Sequence, residues 1–166
     1  MNKLNTIINL NEVNKTFDNG TVAVQGMNID VSNGQFISFL GPSGCGKSTV
    51  LKMIAGLLKP TSGNIIFNGK SFSSQSQDQE IGYVFQDATL MPWATVSDNV
   101  FLPLRIKGIS KSKASNEIEK VLMQVGLKDF YNAYPRELSG GMKMRVSIAR
   151  ALIMKPKLLL MDEPFA

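Results

Sequence analysis

Residues 41–48 of the chain read Gly41-Pro42-Ser43-Gly44-Cys45-Gly46-Lys47-Ser48. They satisfy the pattern G-x-x-x-x-G-K-S/T, in which a glycine-rich loop wraps a phosphate group and turns its backbone N–H groups inward. The loop follows an apolar run, Phe36 to Leu40, which predicts a buried strand. It precedes Lys47 to Leu58, whose apolar spacing predicts a helix that Lys59-Pro60 ends. A strand, a loop and a helix in this order are the context that the pattern requires.

The residue types of this loop suit the phosphates of a nucleotide. A helix N-terminus adds partial positive charge, Lys47 supplies a full charge to the terminal phosphates, and the Ser48 hydroxyl is a hard oxygen ligand for Mg²⁺. We expect residues 41–49, including Thr49, to contact the nucleotide, and we assign the thiol of Cys45 no catalytic role. A turn that merely packs is the alternative, although a chance match in a chain of this length is on the order of one in a hundred.

A second apolar run, Leu158 to Met161, ends in the acidic pair Asp162 and Glu163. Beside a phosphate loop, Asp162 can bind Mg²⁺ directly or through water, while Glu163 can polarise the attacking water. Two acids after an apolar run are common at strand ends, so the pair alone would favour a structural interpretation. Together with the phosphate loop, the pair favours the catalytic interpretation.

The remaining hydrophobic periodicity predicts a helical region between two β-rich parts. Strands are predicted at Ile7 to Val13, Thr21 to Val31, Asn64 to Phe67 (before a tight turn at Asn68-Gly69) and Ile81 to Phe85, and helices at Val96 to Leu104, Lys111 to Val125 and Ser139 to Ile153. We expect Ser110 to cap the start of the second helix and Gly126 to follow its end. Residues 71–79 are polar and predict a loop. The helical insert therefore covers roughly residues 87–154.

The composition favours a globular protein that does not bind nucleic acid. Hydrophobic residues make up 43% of the chain, and the net charge of +5 comes from 18 basic residues against 13 acidic ones. Because the basic residues are scattered, we expect a solvated surface. The single cysteine allows no internal disulfide, which fits a reducing compartment. No apolar run is long enough for a membrane span or a signal peptide, so we expect a soluble, cytoplasmic chain that reaches a membrane through a partner.

Two further motifs and one aromatic residue extend the pattern. Leu138-Ser139-Gly140-Gly141, followed by Met142, resembles the LSGGQ signature of the ABC ATPases, with Met142 in place of the glutamine. Gln86 ends the predicted strand Ile81 to Phe85 and matches the Q-loop glutamine. Phe17 stands thirty residues before Lys47, at the place of the aromatic A-loop residue that stacks on adenine, although simple packing is an equal alternative for it. The motifs occur in the order of the family, and the resemblance covers essentially the whole chain.

The resemblance implies an α/β P-loop NTPase fold of the ABC ATPase type, with a RecA-like core, an antiparallel β subdomain and a helical subdomain insert. Residues 1–166 would be one such domain, made of a β subdomain with the phosphate loop (1–86), the helical subdomain (87–154) and the strand with the acidic pair (155–166). The chain ends at Pro164-Phe165-Ala166 and has no histidine. The resemblance places the D-loop and a switch histidine beyond that point. We therefore expect a member incomplete at its C-terminus, which binds ATP and whose hydrolysis is doubtful.

The resemblance also implies the ligands and the second subunit. ATP and Mg²⁺ are the cofactors, and Gln86 joins Ser48 and Asp162 at the metal and Lys47 and Glu163 in catalysis. The hydroxyl of Ser139 and the N–H groups of Gly140 and Gly141 form a second anion-binding device at a helix start. Two subunits then pair head-to-tail, so that each ATP lies between the phosphate loop of one copy and the signature of the other.

The stretch Val84 to Val100 and the LSGGM variant look like importer subunits for nitrate, sulfonate, taurine and related solutes. This implies integral-membrane permease subunits as partners, an indirect link to a periplasmic or extracellular solute-binding protein, and a place at the cytoplasmic face of the membrane. Trp93, the only tryptophan, would be a candidate contact with the permease. Packing beside Pro92 is an equally strong alternative for Trp93.

Two other functions stay open at this point. A soluble ABC ATPase of DNA repair or chromosome organisation carries long coiled coils between the Q-loop and the signature, and the 53 positions from Gln86 to Ser139 leave no room for them. A translation-type ABC ATPase is not excluded in this way. The chain could also be a module that binds nucleotide without hydrolysing it. A simple GTPase is disfavoured, because it has no use for the Ser-Gly-Gly helix start.

Overall fold

The computed structural model describes residues 6–71 and 81–164, which divide into two compact units, 1–78 and 79–166. The first unit contains β1 (Thr6–Thr16), β2 (Val22–Ser32), α1 (Lys47–Ile54), β3 (Ser62–Phe67) and β4 (Lys70–Ser71). The second contains β5 (Ile81–Val84), α2 (Val96–Ile106), α3 (Lys111–Gln124), α4 (Gly140–Leu152) and β6 (Leu158–Met161), with short 3-10 turns at Lys128–Phe130 and Pro135–Glu137. None of the helices in the described ranges has the length and apolar character needed to span a membrane.

The first unit is built on an antiparallel sheet with the strand order β2-β1-β3-β4. Strand β1 lies between β2 and β3, and its side chains Ile7, Ile8, Leu10 and Val13 are almost completely buried. The predicted turn at Asn68-Gly69 is confirmed, with φ values of 49° and 75° that both lie in the left-handed region. Such a pair twists β3 and β4 into a tight hairpin.

The predicted strand at Phe36 to Leu40 is wrong. The segment forms no strand, and Phe36 and Leu40 are 83% and 91% exposed. Apolar residues favour extended backbone, but a strand forms only where a neighbour accepts its backbone hydrogen bonds. Among the described residues, no strand pairs with this run.

Helix α1 begins at Lys47 as predicted but ends at Ile54 rather than at Leu58. Gly56 takes a φ of 72°, and the N–H of Leu57 turns back to the carbonyl of Lys52 at 2.9 Å. A glycine in the left-handed conformation just past the last turn is a common helix stop. The periodic spacing of Leu57 concealed this stop, and the Leu57 side chain is exposed.

The second unit joins one parallel strand pair to three helices. β5 and β6 pair in register, with Ile81 opposite Leu158 and Val84 opposite Met161. The helices pack around an apolar cluster that contains Val96, Val100, Phe101, Ala114, Ile118, Val121, Leu122, Leu127, Leu138, Val146, Ala149 and Ile153. The three predicted helices are thus confirmed, and the apolar face predicted for α3 is the face that is buried.

The helix ends in the second unit follow local signals in most cases. Gly126 stands past the end of α3 with a φ of 68°, as predicted. Ser110 occupies the first position before α3, but its hydroxyl makes no capping bond and lies 3.3 Å from the hydroxyl of Ser112. The capping role predicted for Ser110 is therefore wrong, because a neighbouring hydroxyl competes for it. The predicted loop at 71–79 falls, apart from Ser71 in β4, outside the described residues.

Candidate functional site

In the first unit, the glycine-rich loop leads directly into α1. Gly44 and Gly46 have φ values of 82° and 97°, which favour glycine strongly. A Cβ placed on Gly46 would lie 2.3 Å from the carbonyl oxygen of Ala23 in β2, so only glycine lets the loop pass this strand. The described residues offer no side-chain cap at the start of α1. The helix N-terminus therefore faces the loop without a competing cap, as an anion-binding loop requires.

The ammonium of Lys47 is held by the loop that precedes it. Its Nζ donates to the carbonyl oxygens of Gly41 at 2.9 Å and Pro42 at 3.0 Å. The Sγ of Cys45, which is exposed, lies 3.9 Å from the same Nζ. The structure thus brings the predicted lysine, the loop carbonyls and the cysteine together. Three further predicted residues lie beside them, Ser43 in the loop and Ser48 and Thr49 in the first turn of α1.

Phe17 follows the end of β1, and its side chain is 38% exposed. The Nζ of Lys15 lies 5.4 Å from the centroid of the Phe17 ring, within the range of a cation–π contact. That Nζ also donates to the carbonyl of Lys59 at 3.0 Å. The ring is therefore not a core side chain, and one of its faces already attracts a cation.

In the second unit, the pairing of β5 with β6 brings Gln86 beside the acidic pair. The Nε2 of Gln86 donates to Oε2 of Glu163 at 3.1 Å, although the two residues are 77 positions apart. Glu163 has a φ of 48°, an uncommon value for a residue with a side chain. Such strain often occurs at functional sites, where surrounding contacts hold it.

Asp162 is buried, at 5% exposure, and its backbone N–H donates to the carbonyl of Val84 at 2.9 Å. Its Oδ2 accepts a hydrogen bond of 3.3 Å from the hydroxyl of Tyr83. Burial of the Tyr83 phenol, together with the charge and hydrogen bond of Asp162, raises the pKa of Tyr83 to about 12. Tyr83 therefore stays protonated and can donate to this carboxylate at any physiological pH.

Ser139 caps α4, and its Oγ accepts from the N–H of Met142 at 3.3 Å. Gly140 and Gly141 follow in the first turn, where an added Cβ would meet no atom within 4 Å. Packing among the described residues therefore does not require a glycine at either position, which leaves room for a ligand or partner to approach the backbone. A cavity of about 650 Å³ joins this helix start to Gln86, and Ser139, Gly140, Gly141 and Pro164 are among its lining residues.

The predicted metal ligands fit Mg²⁺ in their chemistry. Asp162 offers a buried carboxylate, Ser48 a hydroxyl and Gln86 an amide oxygen, all of them hard donors. No group of three His, Cys, Asp or Glu side chains in the described ranges forms a cage. Mg²⁺ is usually bound by one or two protein carboxylates and keeps other positions for water and phosphate.

Sequence reasoning missed three polar side chains of the second unit. Tyr83 contacts Asp162, Arg150 of α4 binds backbone carbonyls after Gln86, and Asn99 of α2 is completely buried. A polar residue on the apolar face of a predicted helix, as Asn99 is beside Val96 and Val100, was the only signal that the sequence contained. Trp93, the proposed permease contact, is 77% exposed, so packing beside Pro92 does not bury it.

Comparison with known families identifies the fold. The sequence profile of the family described as ABC transporter matches residues 24–166, from β2 to the end of the chain. The chain belongs to the ABC transporter family. A solved ATP-binding cassette, described as a dimeric post-hydrolysis state bound to ADP and Pi, superimposes with a TM-score of 0.86 at 35% identity over 95% of this chain and 74% of that one. The ABC-type α/β fold expected from the motifs is confirmed.

Two curated relatives belong to import systems by name. The spermidine/putrescine import ATP-binding protein PotA of Mesoplasma florum is 44% identical over 163 residues, 98% of this chain and 46% of PotA. The probable sulfate/thiosulfate import ATP-binding protein CysA of Chlorella vulgaris is 46% identical over 145 residues, 87% of this chain and 61% of CysA. The chain thus spans about half the length of these relatives.

Proposed function

We propose that this chain is the ATP-binding and ATP-hydrolysing part of an ABC importer for a small solute. The observation that carries the proposal is the glycine-rich loop that passes β2 at Gly46 and places the ammonium of Lys47 at the start of α1. A dimeric structural relative bound to ADP and Pi supports the proposal. The roles given below to single residues are part of it.

The loop binds the phosphates by an exchange of hydrogen-bond acceptors. Without nucleotide, Lys47 donates to the neutral carbonyls of Gly41 and Pro42. A phosphate oxygen carries negative charge, so the ammonium gains a charge–charge attraction there that a neutral carbonyl does not provide. Lys47 therefore turns from the carbonyls to the terminal phosphates, while the N–H groups of residues 44–49 surround the phosphate oxygens. Phe17 stacks on the adenine.

Hydrolysis uses the pair formed by Gln86 and Glu163. The Glu163 carboxylate accepts a hydrogen bond from water and directs its oxygen at the γ-phosphorus, and the bond from that phosphorus to the bridging oxygen breaks. Gln86 donates to Oε2 of Glu163 and so fixes the direction of the carboxylate. Bound Mg²⁺, held by Ser48, Gln86 and Asp162, would neutralise charge on the phosphates. The proton of the water leaves through Glu163, and ADP and phosphate are released.

The start of α4 completes the site of a second copy in the proposed head-to-tail dimer. Ser139 presents a hydroxyl, and Gly140 and Gly141 present backbone N–H groups. A Cβ added to either glycine would meet no described atom within 4 Å, so a ligand has room to approach. Residues 1–86, 87–154 and 155–166 are the proposed β and phosphate-loop part, helical part and acidic-pair strand of one domain. Hydrolysis then removes the contact that joins the copies, which couples chemistry to motion.

The importer function and the partners rest on the relatives named above. Permease subunits would bind the chain at the cytoplasmic face of the membrane, near the exposed Trp93, and a solute-binding protein would act outside. The motifs favour a nitrate-, sulfonate- or taurine-like solute, whereas the two relatives are named for polyamine and sulfate/thiosulfate import. The candidate solutes can be distinguished by measuring the uptake of labelled taurine, nitrate, sulfate and spermidine in cells with and without the gene. Loss of spermidine uptake alone would refute the nitrate, sulfonate and taurine assignment.

Nucleotide affinity and turnover test the central proposal separately. Lys47→Ala should abolish Mg²⁺-dependent ATP binding, whereas Lys52→Ala, on the same helix, should leave it unchanged. Glu163→Gln should keep ATP affinity and reduce turnover by roughly 10²- to 10⁴-fold. Binding without any turnover in the unmodified chain would favour the alternative of a non-hydrolysing module. Absence of Mg²⁺-dependent binding in the unmodified chain would refute the proposal, and co-purification with ribosomes instead of membrane subunits would favour a translation-type ATPase.

A further inference from the structure

Two polar side chains bind the segment between β5 and α2 to two helices, Asn99 of α2, which is fully buried, and Arg150 of α4, which is partly buried. Asn99 of α2 is fully buried and serves the later half of the segment. Its Oδ1 accepts from the N–H of Met91 at 2.7 Å, and its Nδ2 donates to the carbonyls of Met91, Ala94 and Thr95 at 3.0 to 3.2 Å. One side chain thus holds the backbone of residues 91–95.

Arg150 of α4 serves the earlier half, which follows Gln86 directly. Its Nη1 donates to the carbonyl of Thr89 at 2.9 Å. Its Nη2 lies 2.9 Å from the carbonyl of Ala88, 3.0 Å from Oγ1 of Thr89 and 3.4 Å from Oγ of Ser147. The planar guanidinium therefore binds two successive carbonyls at once, which the single ammonium of a lysine cannot do in the same geometry.

Two features indicate that these bonds determine the local backbone. Thr89 has a φ of 45°, an unfavourable value for a β-branched residue, and Arg150 contacts both its carbonyl and its hydroxyl. No carboxylate within the described part of the chain forms an ion pair with Arg150, and its charge is compensated by carbonyl and hydroxyl oxygens. A partly buried cation of this kind keeps those oxygens in place, because losing them would leave its charge unsatisfied.

Arg150 also lies on the helix that Ser139 starts. The two positions are eleven residues apart, which is close to three full turns and about 16 Å along the axis. Gln86 stands two residues before the first clamped carbonyl, at Ala88. A rigid helix and a short clamped segment thus connect the Ser139 helix start to the Gln86 amide.

We propose that Arg150 is a positioning residue, which fixes the backbone after Gln86 on α4 so that the Gln86 amide and the Ser139 helix start move as one piece. This rests on the proposed function, in which Gln86 directs Glu163 and Ser139 contacts the nucleotide of a second copy. A ligand that shifts α4 then also shifts Gln86 relative to Glu163. Arg150 itself touches neither nucleotide nor metal.

Backbone ¹⁵N relaxation of the nucleotide-free chain tests the clamp without reference to ATP. In the unmodified chain, residues 87–90 should have order parameters near 0.85, typical of rigid backbone, and in Arg150→Lys they should fall below about 0.6. The side-chain amide resonance of Gln86 should move in the same variant. Residues 91–95 should stay rigid, because Asn99 still holds them.

Two further variants keep the test specific. Arg145→Lys, on the same helix, breaks a similar bond of 3.0 Å to the carbonyl of Val125 and should leave residues 87–90 rigid. Thr89→Val removes only the Oγ1 acceptor and should give an intermediate loss of order. Unchanged order at 87–90 in Arg150→Lys and Thr89→Val would overturn the proposal, as would a uniform loss of order across the second unit.

Kinetics provide the second readout. Arg150→Lys should lower kcat about tenfold, the effect of losing a charge-assisted hydrogen bond, and leave the Kd for ATP unchanged. A fall in affinity together with an unchanged kcat would overturn the positioning role. If the unmodified chain neither binds nor hydrolyses ATP, the proposed function fails, while the relaxation measurements still decide whether Arg150 orders residues 87–90 and the Gln86 side chain.

Discussion

At Gly46, backbone conformation and close packing exclude a side chain for separate reasons. The φ of 97° strains any other residue, and a Cβ would overlap the carbonyl of Ala23. Gly44, two positions earlier, has a φ of 82° but open space around its Cα. The two glycines of one loop therefore form a matched pair for experiment.

We predict that Gly46→Ala lowers the free energy of unfolding by at least ~2 kcal/mol, because strain and overlap add. Gly44→Ala should lower it by only about 1 kcal/mol, the cost of the left-handed backbone alone. Urea denaturation followed by circular dichroism measures both. Equal losses in the two variants would show that the approach to Ala23 does not limit the loop.

Asp98, in the first turn of α2, gives a prediction on pH. Partial burial raises the pKa of Asp98, but hydrogen bonds from Lys111 and Thr95 and the charge of Lys111 outweigh it and hold the pKa below its ordinary value of 3.8. A carboxyl whose pKa is lower in the folded state stabilises the protein above its unfolded pKa. That contribution is lost as the pH falls through the folded pKa.

We therefore expect the free energy of unfolding to fall more steeply below pH 3.8 in the unmodified chain than in Asp98→Asn. The amide side chain that this variant introduces does not titrate, so the contribution of the position stays constant across the window. Urea unfolding at a series of pH values between neutrality and the acid limit measures the difference. Parallel curves in the two proteins would contradict the prediction.

At the scale of elements, the sequence predicted those whose signals are local. The start of α2 at Val96, the start of α3 at Lys111 and the bounds of β6 follow from apolar spacing and turn residues, and all three were predicted correctly. The run at Phe36 to Leu40 was not, because a strand depends on a distant neighbour that no local pattern specifies. Helix α1 ended early because Gly56 adopts a left-handed backbone that competes with the periodicity of Leu57.

The same division applies to the candidate site. Lys47, Ser139 and the acidic pair belong to short contiguous motifs, so their positions on a helix start or strand end could be predicted. The contacts of Gln86 with Glu163, Tyr83 with Asp162 and Arg150 with Thr89 join residues more than sixty positions apart. No spacing rule within one element reaches so far, and these partners became visible only in the fold.

Ser139, at the start of α4, caps the helix and is also proposed to contact the nucleotide of a second copy. Substitutions at this position can test the cap separately. Ser139→Ala removes the cap and should lower the free energy of unfolding by about 1 kcal/mol. Ser139→Asp keeps an acceptor for the N–H of Met142 and should retain stability, since aspartate caps helices as well as serine does. Urea denaturation compares the two. A larger loss in Ser139→Asp than in Ser139→Ala would contradict the expectation that a side-chain acceptor at this position stabilises α4.

At the scale of the whole molecule, the proposed pairing predicts complementation between two defective chains. Lys47→Ala cannot hold phosphate, and Ser139→Asp places a negative charge where the partner's phosphate would lie. Each variant alone should remain a monomer of 18.2 kDa in the presence of Mg²⁺ and ATP. A mixture should form pairs, because one of its two sites joins an intact Lys47 loop to an intact Ser139 helix start.

Analytical ultracentrifugation of the separate and mixed variants measures this, with Glu163→Gln as the positive control because it should bind ATP and turn it over slowly. Pairing in either single variant to the same extent as in Glu163→Gln would contradict the head-to-tail arrangement. A mixture that remains monomeric under conditions in which Glu163→Gln dimerises would also contradict the head-to-tail arrangement.

The parallel pairing of β5 with β6 has a consequence for synthesis on the ribosome. Gln86 emerges 77 residues before Glu163, and all three helices of the second unit are made in between. Local helix contacts form quickly, whereas closing so long a loop is slow and entropically unfavourable. The phosphate loop at residues 41–48 is therefore made more than a hundred positions before Glu163, and the Gln86–Glu163 contact can form only after β6 has been made. In the proposed mechanism, an unfinished polypeptide that lacks Glu163 thus has a phosphate loop but no group to polarise the attacking water.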